Sequence, residues 1–291
     1  MERDVKSYWT NAAQEYRENA YRHLEKQTRY PFYEVRLDLV MDMIHDFPCG
    51  RVLDAGCGGG RVLLEFLNKG WDGYGFDFVE AQVQLARETL SEAGYSPNRV
   101  SVASVTDLSQ YEDKTFDVVL SLGVMEYISP SEEEKAFKET RRVLKDDGVV
   151  LVENINGLFD LGTFNRFTIQ FFQQHFLPHF FDETKKIDEI IGQLKQLMTY
   201  PEKPSREGKY TTTRDEVYTK SEIPLVYGEK VRNYGFCEKE QGFYRFHAVP
   251  PLLFERDPAL EKISIPLELK LSRHWIGNFL ASGFISKLRK V

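Results

Sequence analysis

The chain has 291 residues, 42% hydrophobic and 29% charged, with a mean hydropathy of -0.44. That balance excludes a disordered tail, a collagen-like fibre and a polytopic membrane protein. A net charge of -7 gives no global attraction to phosphate backbones, so no nucleic-acid partner is expected.

Residues 1–30 are polar and aromatic (Tyr8, Trp9, Tyr16, Tyr21, Tyr30) and helical in look, with no apolar run of a secretory leader. From Pro31 the pattern changes to alternating strands and helices. Arg51–Ala55, Gly73–Phe78, Phe116–Leu120 and Val149–Glu153 are short apolar runs closed by turns, as expected of parallel strands covered on both faces. Val100–Ala103 is a fifth, less apolar candidate. Between them, Arg61–Lys69 carries a short apolar face ended by Gly70, and Val83, Ala86, Leu90 and Ala93 recur at helical spacing before Gly94. Ser129-Pro130-Ser131-Glu132 has the form of a capping box with proline in the first turn, opening a helix expected to stop near Gly148. Strand and helix in alternation predict an open, mostly parallel, seven-stranded α/β sheet of Rossmann type with helices on both faces.

After Glu153 the alternation is lost. Eight phenylalanines between Phe159 and Phe181 crowd one segment, and a charged helical run follows over Asp182–Met198. Tyr200–Arg214 has loop composition. A helix leading to Gly235, a strand at Phe243–Phe246, a helix through Trp275 and a last strand near Phe284–Leu288 complete the reading. Four regions are therefore expected: an N-terminal helical lid (1–30), a ligand-binding core (31–153), a helical cap (154–220) and C-terminal elements that complete the sheet (221–291). Cys49, Cys57 and Cys237 fit neither metal-ligand spacing nor a disulfide scaffold, and no apolar run approaches the roughly 20 residues that span a bilayer. A cytoplasmic protein without a resident metal or an integral membrane segment is expected; oligomeric state is left open.

The chemistry is concentrated in Asp54-Ala55-Gly56-Cys57-Gly58-Gly59-Gly60, where a strand breaks into glycines and then a helix. Glycines there permit positive φ and a close approach of ligand to backbone, and the helix start presents free N–H groups at the carboxyl edge of the sheet. Asp77, 23 residues beyond Asp54 at the end of the next strand, is placed to accept hydrogen bonds from both hydroxyls of a ribose. The dinucleotide fingerprint needs a glycine where Arg61 stands. An acid at Asp54 repels a pyrophosphate and suits a cationic amino-acid tail. The pattern favours S-adenosylmethionine over NAD.

From Tyr8 to Glu153 the chain resembles class I S-adenosylmethionine-dependent methyltransferases. The resemblance implies that Gly56, Cys57 and Gly58 wrap the methionine part of the cofactor, that Asp77 binds its ribose, and that Phe78 lies against adenine. Ser104-Val105-Thr106-Asp107 resembles the loop after the third strand, with Ser104 where relatives place a carboxylate and Val105 offering a backbone contact. Leu122, in the fourth-strand motif, would present its carbonyl to the cofactor's amino group, and Tyr16 would fold over the cofactor.

A sulfonium methyl is already activated, so transfer needs mainly positioning, with a general base helping a hydroxyl or ammonium acceptor. His247, just past the sixth strand, and Tyr127, after the fourth, are the candidates, followed by Glu126 beside Tyr127 and by His175 and His179 inside the phenylalanine-rich segment. The sequence lacks the Asn- or Asp-Pro-Pro-Tyr of nucleic-acid amino methylation and the paired glutamates of protein arginine methylation. A small-molecule acceptor is expected, through O-methylation of a natural-product, sugar or glycan hydroxyl, with N-methylation of an amine or a non-catalytic cofactor-binding subunit as alternatives.

Overall fold

The computed structural model describes residues 5–13, 31–164, 166–197, 218–253 and 257–291. Tyr16 and the Tyr200–Arg214 loop lie outside the described residues.

Seven strands form one sheet in the order β3-β2-β1-β4-β5-β7-β6. β1 (Arg51–Ala55), β2 (Asp72–Asp77), β3 (Val100–Val102), β4 (Phe116–Ser121) and β5 (Leu144–Ile155) are mutually parallel, while β7 (Ala281–Lys290) is antiparallel to both β5 and β6 (Phe236–Phe246). The order reverses between β1 and β4: the chain leaves β1 towards β2 and β3, then returns to lay β4 on the other side. Open α/β sheets bind ligands in the crevice at such a reversal, outside the carboxyl ends of the strands. Because β6 pairs antiparallel with β7, it also ends at that edge.

Residues 5–13 form a helix, α1, followed by α2 (Phe32–Met43), α3 (Arg61–Asn68), α4 (Glu80–Glu92) and α5 (Pro130–Val143). Ser129 caps α5 as its sequence predicts: the Ser129 hydroxyl accepts from the Glu132 amide, and the Glu132 carboxylate accepts from the Ser129 amide. α5 stops at Val143, five residues earlier than its pattern suggests. Leu144 is fully buried and pairs with Phe116, so β5 begins there and carries the Lys145–Gly148 turn as an irregularity opposite Asp117. The core lies on the two sheet faces. Leu53, Val119, Val150 and Phe284 point to one and Val52, Val118, Leu151 and Ile285 to the other, the period of two expected along buried strands.

Past β5 the phenylalanine-rich segment is more broken than one helical face. A 3-10 turn (Gly157–Gly162) leads to α6 (Arg166–Phe171), a wide π-type turn (Phe172–Phe176), another 3-10 turn (Leu177–His179) and α7 (Thr184–Leu197). Ile169, Leu177 and Ile191 are buried in a small core of their own, while Phe164, Phe167, Phe176 and Phe180 stay exposed. After α8 (Pro224–Arg232) the sheet is completed by β6 and β7. Between them the expected helix through Trp275 is absent among the described residues. 3-10 turns and the single helical turns α9 (Glu268–Leu271) and α10 (Gly277–Leu280) stand there instead, because Pro258, Pro266 and Gly277 interrupt it.

The segment entering α8 is tied across the sheet's carboxyl edge. The Glu222 amide donates to Ile155, the Gly157 amide to Glu222, and the Lys220 amide to the Glu126 carbonyl, at 2.9, 2.8 and 2.9 Å. Its side chains close a four-charge cluster in which Glu133, buried on α5, takes Lys220 at 2.6 Å and Lys230 at 2.9 Å, with Glu222 bridging the same lysines. The strap from 218 to 223 is thereby fixed beside the loop after β4.

Candidate functional site

Each turn at the carboxyl ends of β1, β2 and β4 follows from a local steric requirement. Gly56, Gly58 and Gly60 have φ of 80°, 50° and 77°. At Gly56 a Cβ would come within 2.3 Å of Val124 Cγ2, so only glycine passes beneath the loop after β4. Gly60 opens α3, where a Cβ would meet Ala86 at 2.9 Å. The Gly56 and Cys57 amides both donate to the Phe76 carbonyl, joining the turn to β2. Asp77 completes it. One carboxylate oxygen accepts from the Gly58 amide at 3.0 Å and the other from the Val79 amide at 2.9 Å. Burial raises the Asp77 pKa and those amides pull it back.

Asp54, at the end of β1, is buried, and one of its carboxylate oxygens has no hydrogen-bond partner. Burial pushes its pKa up to about 7; Arg36 draws it down, Asp77 adds to the rise and the Leu63 amide lowers it again. The buried Ser121 hydroxyl, at the end of β4, also makes no hydrogen bond. Buried polar atoms are normally satisfied, so two orphans at the sheet's reversal mark a place where a polar ligand completes the set. A nucleoside with a cationic amino-acid tail fits it: Asp54 for the cation, Asp77 for the hydroxyls, a glycine turn that lets backbone approach.

The other residues singled out in the sequence sit around this crevice. Cys57 is buried against Gly75 and its thiol pKa is raised by burial, so it packs and offers backbone only. Phe78 is half-buried at the end of β2, and Leu122 turns its side chain into the core. The Ser104 hydroxyl is engaged with Thr106, at 2.9 Å from its hydroxyl and 3.3 Å from its amide, and so holds the loop's own turn; Val105 packs on the core. Tyr127 stands edge-on to Trp9 of α1, ring centroids 5.8 Å apart, and Gln82 donates to the Trp9 carbonyl. α1 is thereby docked over the loop after β4 and the start of α4.

His247 differs from the expectation of a base matched to neutral pH. It is buried beyond β6, its ring 4.6 Å from that of Phe159, and burial with the nearby Arg245 charge lowers its pKa to about 3. Such an imidazole is neutral at pH 7 and a poor proton acceptor. It also lies three strands from β4, roughly 14 Å at about 4.8 Å per strand.

A buried group that was not singled out lies closer. Glu153, near the end of β5, accepts from Arg36 of α2 at 2.9 Å and from the Tyr244 hydroxyl of β6. Both Arg36 Nη1 and Glu153 Oε2 lie 3.8 Å from where a Cβ would stand on Gly123. Arg36 is steadied by the rings of Phe32 and Tyr33. The signal was present in Val149–Glu153, an apolar strand ending in an acid at the ligand edge, as β1 and β2 do. Among the described residues no group of His, Cys, Asp and Glu could hold a metal ion, and no helix is long and apolar enough to cross a membrane.

The sheet order, the glycine turn and the two strand-end acids define an α/β nucleoside-binding domain. Residues 53–152 match the methyltransferase domain family, and this core has the fold of a class I methyltransferase domain. The chain is 30% identical over 135 residues to a ubiquinone biosynthesis O-methyltransferase of Neisseria meningitidis, covering 45% of this chain and 55% of that one. It is 31% identical over 103 residues to a sterol 4-C-methyltransferase of Caenorhabditis elegans, covering 35% and 30%. The chain thus spans about half or less of the length of these curated relatives. The solved magnesium protoporphyrin IX methyltransferase of Synechocystis, with bound S-adenosylhomocysteine, superposes over the full length of both chains at a TM-score of 0.56 and 15% identity, a likeness of fold.

Proposed function

We propose that the protein transfers the methyl group of S-adenosylmethionine to a hydroxyl of a small-molecule acceptor. The carrying observation is the pair of strand-end acids about the glycine turn, with the Asp54 oxygen unpartnered and Asp77 held by two backbone amides. The bound cofactor supplies an electrophilic methyl on a sulfonium. Asp54 pairs with its amino group, Gly56 to Gly58 pass close along its methionine part, Asp77 takes the ribose hydroxyls, and Phe78 with the Ser104–Val105 turn borders the adenine. Leu122 presents its carbonyl to the amino group, and Tyr16 belongs with the N-terminal segment that covers the cofactor. Tyr127, between Trp9 and the strap, faces the acceptor, and His247 forms part of the far wall. The ubiquinone O-methyltransferase relatives favour oxygen over nitrogen as the methylated atom.

Titration with S-adenosylhomocysteine by calorimetry, with NAD in parallel, tests the reading. Micromolar binding of the first and none of the second is expected; the reverse would redirect the search to hydride transfer.

Asp54 makes this binding pH-dependent. Its folded pKa, near 7, lies above that of an unfolded aspartate, so without ligand its burial favours the fold most below about pH 4, and that stability is lost as pH rises through 7. A cationic ligand needs the ionised form. Affinity for S-adenosylhomocysteine should therefore rise between pH 5.5 and 7, by up to about tenfold per unit, and level off above. Asp54→Asn should bind more weakly and without that slope; an unchanged profile would remove Asp54 from the amine contact.

A further inference from the structure

At the same edge of the sheet, beyond β5, a cavity of about 220 Å³ opens between the Phe159 turn, the chain leaving β6 and the turn entering β7. Phe159, Phe164, His247, Pro250, Phe279 and Leu280 line it, and among the described residues no charged side chain does. Two of its walls are large aromatic side chains left in solvent, Phe164 at 57% and Phe279 at 43% exposure. Phe164 has φ 52°, and Arg245, two residues before His247, has φ 57°. Both are in a region that non-glycine residues rarely enter, and backbone strain of this kind collects at ligand sites. The far side is held rigid: the Asn156 side-chain amide donates to the carbonyls of Gly277, Asn278 and Ala281.

We propose that this cavity binds the apolar arm of the methyl acceptor, an uncharged ring or hydrocarbon chain, and so selects an elongated amphiphile over a small polar metabolite. That the occupant is the acceptor rests on the methyltransferase reading above; that the cavity takes an apolar group does not. A cavity of about 150 Å³ lined by apolar side chains holds a benzene ring, so this one holds a ring with a few further carbons. His247 suits the wall because its imidazole stays uncharged at neutral pH. The reacting atom must lie over the ends of β4 and β5, beside the cofactor crevice. The cavity borders the ends of β7 and β6, one to three strands away, roughly 5–14 Å along the edge at about 4.8 Å per strand. An acceptor that spans this distance reaches both.

The test uses 4-alkylphenols from propyl to octyl, titrated calorimetrically into the full chain saturated with S-adenosylhomocysteine. Affinity should rise about fourfold per methylene until the cavity is full, then level off. Gly162 borders the cavity, and a Cβ there meets no atom within 4 Å, so Gly162→Leu adds volume without a clash. It should flatten the chain-length dependence and lower octylphenol affinity at least tenfold, while leaving S-adenosylhomocysteine affinity unchanged. Phe279→Ala, which strips one wall, should lower octylphenol affinity several-fold by an independent route. Chain-length dependence that survives both substitutions, or none in the unmodified protein, overturns the proposal. If S-adenosylhomocysteine fails to bind, the methyltransferase reading falls, and the same phenol series, run without it, still decides the cavity.

Discussion

Asp77→Ala should lower affinity for S-adenosylhomocysteine by about 100-fold or more. A carboxylate that accepts from two ribose hydroxyls makes two charge-assisted hydrogen bonds, each worth about 1.5–3 kcal/mol. Asp77 is buried at the end of β2, and its two oxygens already accept from the Gly58 and Val79 amides. Each oxygen has a second lone pair for the ligand, so the existing bonds orient the group without exhausting it. Alanine therefore removes the ribose contacts and also frees the Gly58 amide, loosening the turn that approaches the methionine part. Asp77→Asn separates the two effects: it keeps the oxygen facing Val79, loses the charge, and should fall between wild type and alanine. Calorimetric titration at pH 7.5, with thermal melts to show that each variant folds, makes the measurement. Unchanged affinity in the alanine variant would overturn the ribose assignment.

How much of this was legible beforehand depended on how local the cause was. The turn after β1 is written in consecutive glycines because each has a contact that only glycine tolerates, Val124 over Gly56 and Ala86 beside Gly60. The capping box of α5 is equally local. The end of α5 is not local: its helical pattern runs on into Leu144, whose burial is decided by Phe116, 28 residues earlier in the chain. The Phe-rich segment shows only a crowd of aromatics along the chain, whereas a π-type turn interrupts its helices and Phe176 and Phe180 stay exposed. His247 looked like a base because a lone histidine near a strand end carries no record of its surroundings. Its neighbour Phe159 is distant in sequence, and its burial is a tertiary property. For the same reason the Arg36–Glu153–Tyr244 group, drawn from α2, β5 and β6, escaped a reading that moves along the chain.

That group yields the other large effect. Glu153→Ala should destabilise the protein by about 3–5 kcal/mol, because it breaks the buried Arg36–Glu153 pair and removes the carboxylate to which the Tyr244 hydroxyl donates. In a chain of this size that is a fall in Tm of roughly ten degrees. The cost belongs to the broken pair, not to the site's polarity. Arg36→Met combined with Glu153→Leu removes both charges together and should recover most of the stability, since buried pairs replaced by apolar groups of similar volume are often neutral. Function should not recover with it. Arg36 draws the Asp54 pKa downward, so its loss leaves Asp54 protonated to higher pH. The stable double variant should therefore bind S-adenosylhomocysteine more weakly at pH 7, with its affinity still rising above that pH where the wild type has levelled. Melting curves and titrations from pH 5.5 to 9 read both properties. A double variant whose binding saturates at the wild-type pH would show that Arg36 serves the fold alone, whereas a displaced profile ties the α2–β5 ion pair to the ionisation of the acid that holds the cofactor.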